Sequence, residues 1–154
     1  MFDHYLQAVV KGDYLGIEEA YHTAKMLLND SIPAVKAAAF LGALRTRKEK
    51  APELSGFVRA LYEEAITFDT DMELIDTCGT GGDGMGTFNI STASALVVAA
   101  CGMPVAKHGN KAVTGKVGSA DVLEALGVDI MLEPDRARHL LDKTGITFLF
   151  APLY

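Results

Sequence analysis

Apolar positions recur every three to four residues through the first 71 residues, as in Ile17, Ala20, Tyr21, Ala24, Leu27 and Leu28, and again in Leu54, Phe57, Val58, Leu61, Ala65 and Phe68. That spacing puts one apolar stripe on a helix and predicts a helical module over 1–71. Pro33 and Pro52 stand where a first-turn proline would start helices over 35–44 and 54–68, with Ser31 as a capping candidate. No polar constellation recurs on these faces, so the module reads as structural or interfacial.

Beyond residue 71 the pattern changes to short apolar runs separated by glycine loops and helical stretches. Runs over 74–77, 104–107 and 146–150 read as strands. Helices are expected over 92–101, 119–126 and 134–143, each stopped by Gly102, Gly127 or Gly145. Strands alternating with helices predict a parallel α/β sheet over 72–154.

Composition narrows the class. The chain has 154 residues, 49% hydrophobic and 22% charged, which excludes disordered and fibrous classes. Lys and Arg number 14 against 20 Asp and Glu, a net charge of −6, so nothing draws the whole chain to nucleic acid or an anionic membrane. Cys78 and Cys101 form no Cys-x-x-Cys pair, which argues against a disulfide scaffold or zinc site and for a reduced, cytoplasmic setting. Asp3 and His4 stand where a signal peptide would be basic, and the weakly polar run over 93–106 is too short to span a bilayer.

Charge distribution locates the chemistry. Nine of the 15 glycines fall between Gly79 and Gly118. Residues 84–120 hold Lys107, Lys111 and Lys116 and no acid, a local +3, whereas the other 11 cations face all 20 acids. An anion belongs there. The glycine tract from Gly79 lies between a strand and an apolar helix, so its amides can curl around phosphate oxygens. Asn89, Ser91 and Thr92 then add donors where the helix exposes unpaired amides. The plain alternative is a turn with Ser91 or Thr92 as an ordinary N-cap.

Two familiar motifs fail here. Gly79-x-Gly81-x-x-Gly84 matches the dinucleotide fingerprint in form, but polar loop continues to Asn89, and the next strand ends in Lys107 and His108 where an acidic ribose ligand is needed. No Gly-Lys-Ser/Thr triplet of a Walker loop occurs. Lys107 falls at the carboxyl end of a strand, the edge where open α/β sheets bind ligands. His108 alone reads as a structural histidine and Lys111 as solvated, and the adjacent glycine tract favours a site instead. Gly115, Gly118 and Ser119 repeat the pattern of glycine and hydroxyl before a helix, with Asp121 complementing its dipole. His4, His22 and His139 have no partner at metal spacing, and Met85 and Met103 read as packing residues. Asp83 either touches a metal held by a pyrophosphate or caps the turn; both readings stay open.

Four motifs in order, at 79–84, 87–95, 107–110 and 118–127, resemble the anthranilate phosphoribosyltransferase family, and the likeness runs over essentially the whole chain. The resemblance implies a fold of the nucleoside phosphorylase/phosphoribosyltransferase type: a helical bundle followed by the start of a parallel-sheet α/β domain. It implies transfer of the phosphoribosyl group of phosphoribosyl pyrophosphate to anthranilate in tryptophan biosynthesis, with magnesium on the pyrophosphate. Gly79, Gly82, Asp83, Thr87, Asn89, Ile90, Ser91 and Thr92 would hold phosphoribosyl pyrophosphate. Lys107, His108, Gly109, Asn110, Lys111, Ala112, Val113, Thr114, Gly115 and Ser119 would close around it. Ser91 would ligate magnesium, Gly79 and Asn110 would face anthranilate, and His108 would orient rather than act as an essential base. A homodimer through the N-terminal helices is also implied.

The chain departs from the family where it has Lys111 instead of arginine, Thr114 and Gly115 instead of serines, and Val117 instead of serine. Lysine keeps the charge but loses the bidentate fork. The family's sequences continue past residue 154, so exposed apolar surface is expected near Tyr154. The alternatives are a pyrimidine nucleoside phosphorylase-like enzyme, a nicotinamide oxidoreductase, and a non-catalytic fragment that binds a phosphorylated ligand or dimerises.

Overall fold

The two sequence patterns become two compact units, Met1–Ala65 and Ile66–Tyr154. The structure, a computed structural model, describes residues 1–29, 31–79, 88–112 and 117–154.

In the first unit the apolar stripes form α1 (Phe2–Lys11), α2 (Ile17–Leu28), α3 (Ala34–Arg47) and α4 (Ala51–Glu64). Phe2, Val9, Leu15, Ala20, Phe40 and Leu44 make the core, with the Phe2 and Phe40 rings 5.5 Å apart. Gly12 ends α1 with φ 93°, a left-handed cap that glycine adopts without steric cost. Helices α2 and α4 pack closely at Gly56, where a Cβ would fall 2.3 Å from the Ile17 carbonyl oxygen.

Two expectations are corrected here. The helix expected over 54–68 runs over Ala51–Glu64, because Pro52 enters the first turn and the chain turns extended at Ala65, whose following residue Ile66 donates its N–H to the Tyr154 carbonyl. Ser31 does not cap α3. Its hydroxyl donates to the Met26 carbonyl 2.8 Å away, closing α2, and α3 begins after Pro33 without a side-chain cap.

Glu53, wholly buried, is the polar anchor of this unit. Its carboxylate accepts from the Leu15 N–H at 3.0 Å, the Lys50 N–H at 2.9 Å and the Arg47 guanidinium, which also stacks 4.5 Å over the Tyr14 ring. One carboxylate thereby ties the α1–α2 loop, the start of α4 and the end of α3.

The second unit contains α5 (Ile90–Ala100), β1 (Val105–Gly109), α6 (Ser119–Ala125), α7 (Pro134–Thr144) and β2 (Ile146–Phe150). β1 and β2 pair in parallel, Val105 opposite Ile146 and Lys107 opposite Phe148, with the crossover running through α6 and α7. Gly102, Gly127 and Gly145 all take positive φ after their helices, as their positions predicted. Phe148, Phe150, Ala120, Leu123 and Ile130 form the core.

The strand expected over 74–77 reduces to a single parallel bridge from Ile75 to Val105. The Ala106 N–H bonds to the Ile75 carbonyl, but the His108 N–H, which the next rung would use, goes to the Asp76 carboxylate instead. Exposed apolar surface was expected near Tyr154. Tyr154 is half-buried and donates its hydroxyl to the Leu132 carbonyl at 2.8 Å, whereas Leu96, Val97, Leu126 and Met131 are exposed. The fold class itself holds: a helical bundle followed by the start of a parallel-sheet α/β domain.

Glu53→Ala should lower the unfolding free energy of the helical unit by about 3 kcal/mol, because it leaves the Arg47 guanidinium and two amides without their acceptor. Burial pushes the Glu53 carboxyl up, but the hydrogen bonds from Arg47, Leu15 and Lys50 outweigh it and hold it below the usual 4.5. Its contribution is therefore present above pH 4.5 and is lost as the pH falls further, which denaturant titrations across that range read directly.

Candidate phosphate site

Three loop segments lie about the carboxyl half of β1. The first is Asp76 to Gly79, entering the glycine tract; the second is Asn110 to Ala112, directly after β1; the third leads from Val117 into α6. Lys107 is 3% exposed, and its partner among the described residues is the Thr77 hydroxyl, 3.4 Å from Nζ. The same hydroxyl donates to the Ser91 carbonyl at 2.7 Å. With its one proton spent on Ser91, Thr77 offers a lone pair to the ammonium, which keeps two N–H donors for a ligand.

Helix α5 begins beside this cation. α5 opens at Ile90, and the amides and dipole of a helix N-terminus favour an anion. Thr92 is 3% exposed, and its hydroxyl has no partner among the described residues. Behind it the Lys107 stem lines an apolar cavity of about 70 Å³ together with Leu123 and Phe148.

The other site candidates hold the segments together. Asn89, ahead of α5, spends its side-chain amide on the Gly118 carbonyl at 2.9 Å. The Asn110 carbonyl accepts from the Ala120 N–H and the Ser119 hydroxyl, both at 3.2 Å. Asp121 accepts from the Gly118 N–H at 2.7 Å and the Ala112 N–H at 3.0 Å, and those bonds hold its carboxyl below the usual range. Gly109 and Gly118 allow close approach, since a Cβ on Gly109 would fall 2.3 Å from the Ser119 hydroxyl and one on Gly118 2.4 Å from the Ala112 nitrogen.

Lys111 is committed elsewhere: its ammonium lies 2.9 Å from the Glu124 carboxylate, which raises its pKa. His108, Asn110 and Ala112 are exposed, as are Gly79 and Ile90, and Ser91 is half-buried. Gly82, Asp83, Thr87, Val113, Thr114 and Gly115 lie outside the described residues. Among the described residues no group of three or more His, Cys, Asp or Glu could hold a metal. The dinucleotide fingerprint fails on geometry as well, because α5 opens at Ile90 rather than at Gly84. Sequence reasoning missed Asp76 and Thr77, whose signal was a polar pair at the end of a strand leading into the glycine tract.

Such a site can hold a phosphate between a buried cation and a helix N-terminus. Comparison with known proteins agrees in region. Residues 3–65 match the domain described as "Glycosyl transferase family, helical bundle domain", and residues 71–154 match "Glycosyl transferase family, a/b domain". A relative from Syntrophomonas wolfei, named anthranilate phosphoribosyltransferase, is 75% identical over all of this chain and 45% of its own length. One of the same name from Geobacillus stearothermophilus is 46% identical over the same shares. The anthranilate phosphoribosyltransferase structure from Thermus thermophilus superimposes with TM-score 0.80 at 39% identity, over 97% of this chain and 46% of its own. The Saccharomyces cerevisiae enzyme, solved in complex with PRPP and Mg, gives TM-score 0.80 at 26% identity, over 99% of this chain and 47% of its own. The chain thus spans less than half the length of these relatives.

Glycine substitutions separate packing from ligand approach. Gly118→Ala should destabilise the α/β unit by about 2 kcal/mol or more, because its Cβ meets backbone atoms that have no room to yield. Gly79→Ala, which meets nothing within 4 Å among the described residues, should stay within about 0.5 kcal/mol of wild type in the same denaturation experiment.

Proposed function

The chain belongs to the glycosyl transferase family, with its helical bundle and α/β domains in that order, and from that premise we propose that it is the phosphoribosyl-pyrophosphate-binding part of an anthranilate phosphoribosyltransferase. The observation that carries this reading is the buried Lys107 ammonium beside the N-terminus of α5, in a segment free of acids. An anion with several phosphate oxygens suits that pair of donors.

In the proposed reaction the bond from the anomeric carbon to pyrophosphate oxygen breaks and a bond to the amine nitrogen of anthranilate forms. The nitrogen then loses one proton. Positive charge develops on the sugar and negative charge on the departing pyrophosphate, so the protein's main tasks are to position the amine and neutralise the leaving group. Lys107 and the Ser91 amide serve the second task, and Gly79, Gly82, Asp83, Thr87 and Asn89 to Thr92, with Lys107 to Gly115 and Ser119, form the proposed cradle. Gly79 and Asn110 would face anthranilate. An aromatic amine already has its lone pair free at neutral pH, so the exposed His108 orients rather than abstracts.

Magnesium fits this arrangement as a companion of the substrate. It keeps most of its waters and is held chiefly through phosphates, and the Ser91 hydroxyl, half-buried at the helix start, would be one protein ligand. Bound there, the ion would neutralise charge on the pyrophosphate.

The helical unit is proposed to pair with a second copy. Helix α3 buries Phe40 and Leu44 but exposes Val35 and Leu41, and α4 exposes Leu54, Val58, Leu61 and Tyr62. Such a patch favours association. Exposed free thiols at Cys78 and Cys101 suit the reducing cytoplasm, and among the described residues no helix is long and apolar enough to cross a membrane. A place in tryptophan biosynthesis follows from the proposed product.

Mixing anthranilate, phosphoribosyl pyrophosphate and magnesium with a form that carries this chain at its relatives' full length should consume anthranilate fluorescence. No turnover by that form would overturn the reading.

A further inference from the structure

Resting on the reading just given, we infer that Asp76 is a positioning residue of the phosphate site, acting through the acceptor geometry of its side chain and not through its charge. One oxygen, Oδ1, accepts from two amides: Cys78 at 2.9 Å, at the entry to the glycine tract, and His108 at 3.3 Å, at the end of β1. The two segments lie far apart in sequence, and the parallel pairing between them stops at the Ile75 bridge. Asp76 supplies the next tie from a side chain where the backbone ladder gives out.

That tie fixes the neighbour as well. Successive residues of an extended chain point to opposite sides, so holding Asp76 against the His108 amide turns Thr77 toward Lys107 and Ser91. Cation, helix start and the Asp76–Gly79 entry segment are thereby set before a ligand arrives, which removes an ordering cost from binding.

The charge of Asp76 works against the site. An exposed carboxylate next to groups that gather an anion repels it, so its presence calls for a reason other than electrostatics. Asparagine has the same Oδ1 acceptor on the same stem and no charge. Asp76→Asn and Asp76→Ala therefore diverge: the first keeps the clamp and loses the repulsion, the second loses both.

The test uses the 154-residue chain and inorganic pyrophosphate, titrated calorimetrically with and without magnesium, beside amide hydrogen exchange on the ligand-free protein. Asp76→Asn should bind pyrophosphate as tightly as wild type or up to about threefold more tightly, and Asp76→Ala about tenfold more weakly. In the ligand-free Asp76→Ala chain the Cys78 and His108 amides should exchange about tenfold faster, with those of α7 unchanged as the control for folding. If Asp76→Asn binds as weakly as Asp76→Ala, or only its magnesium-dependent binding falls, the charge is what matters and the inference is overturned. Wild-type affinity in Asp76→Ala overturns it too. If the wild-type chain itself binds no pyrophosphate, that counts against the proposed function, and the exchange rates still decide the clamp: unchanged Cys78 and His108 exchange in Asp76→Ala ends it.

Discussion

A lysine buried without a carboxylate among the described residues is the constraint around which the α/β unit is arranged. Taking an ammonium out of water costs several kcal/mol unless acceptors and charge are matched, and among the described residues Lys107 has one long hydrogen bond, to a neutral hydroxyl. Lys107 lines an apolar cavity, and its ammonium meets the Thr77 hydroxyl, which in turn bonds the Ser91 carbonyl in the first turn of α5. Two positive features facing one place are unfavourable in the empty protein and favourable with an anion between them. The functional reading follows from that balance rather than from the glycine tract alone.

The surrounding segments make such an arrangement rigid. Asp76, Asn89, Asp121 and the Asn110 carbonyl each join one loop to another, and the close approaches at Gly109 and Gly118 leave no room for displacement. In the helical unit a carboxylate does comparable work with the opposite outcome. Glu53 is equally buried but satisfied by a guanidinium and two amides, so it stabilises its unit instead of waiting for a ligand.

Periodic features were legible in the sequence. The helical module, the parallel strands β1 and β2 and the left-handed stops at Gly102, Gly127 and Gly145 all follow from apolar spacing and glycine placement. What was not legible depends on a side chain meeting a distant backbone group, which leaves no period to read. Asp76 shortened an expected strand to one bridge, Ser31 turned back to close α2, and Glu53 sat wholly buried in the first turn of a helix that was expected to begin three residues later and to end four residues later. Lys111 stood out as a site cation from its neighbours along the chain, yet its charge is met by Glu124, a turn beyond the start of α6. Local charge pointed to Lys107, but the strand expected over 104–107 runs over Val105–Gly109, so Lys107 sits at its middle rather than its end, and its burial could not be foreseen.

Placing that buried cation at the centre has a consequence for stability as well as for binding. Lys107→Met keeps the stem and removes the charge, so denaturant unfolding and pyrophosphate titration of the same variant should move in opposite directions. The unfolding free energy should rise by about 1 kcal/mol or more and the affinity for pyrophosphate should fall at least about tenfold. A variant that is less stable than wild type and binds pyrophosphate equally well would contradict that placement.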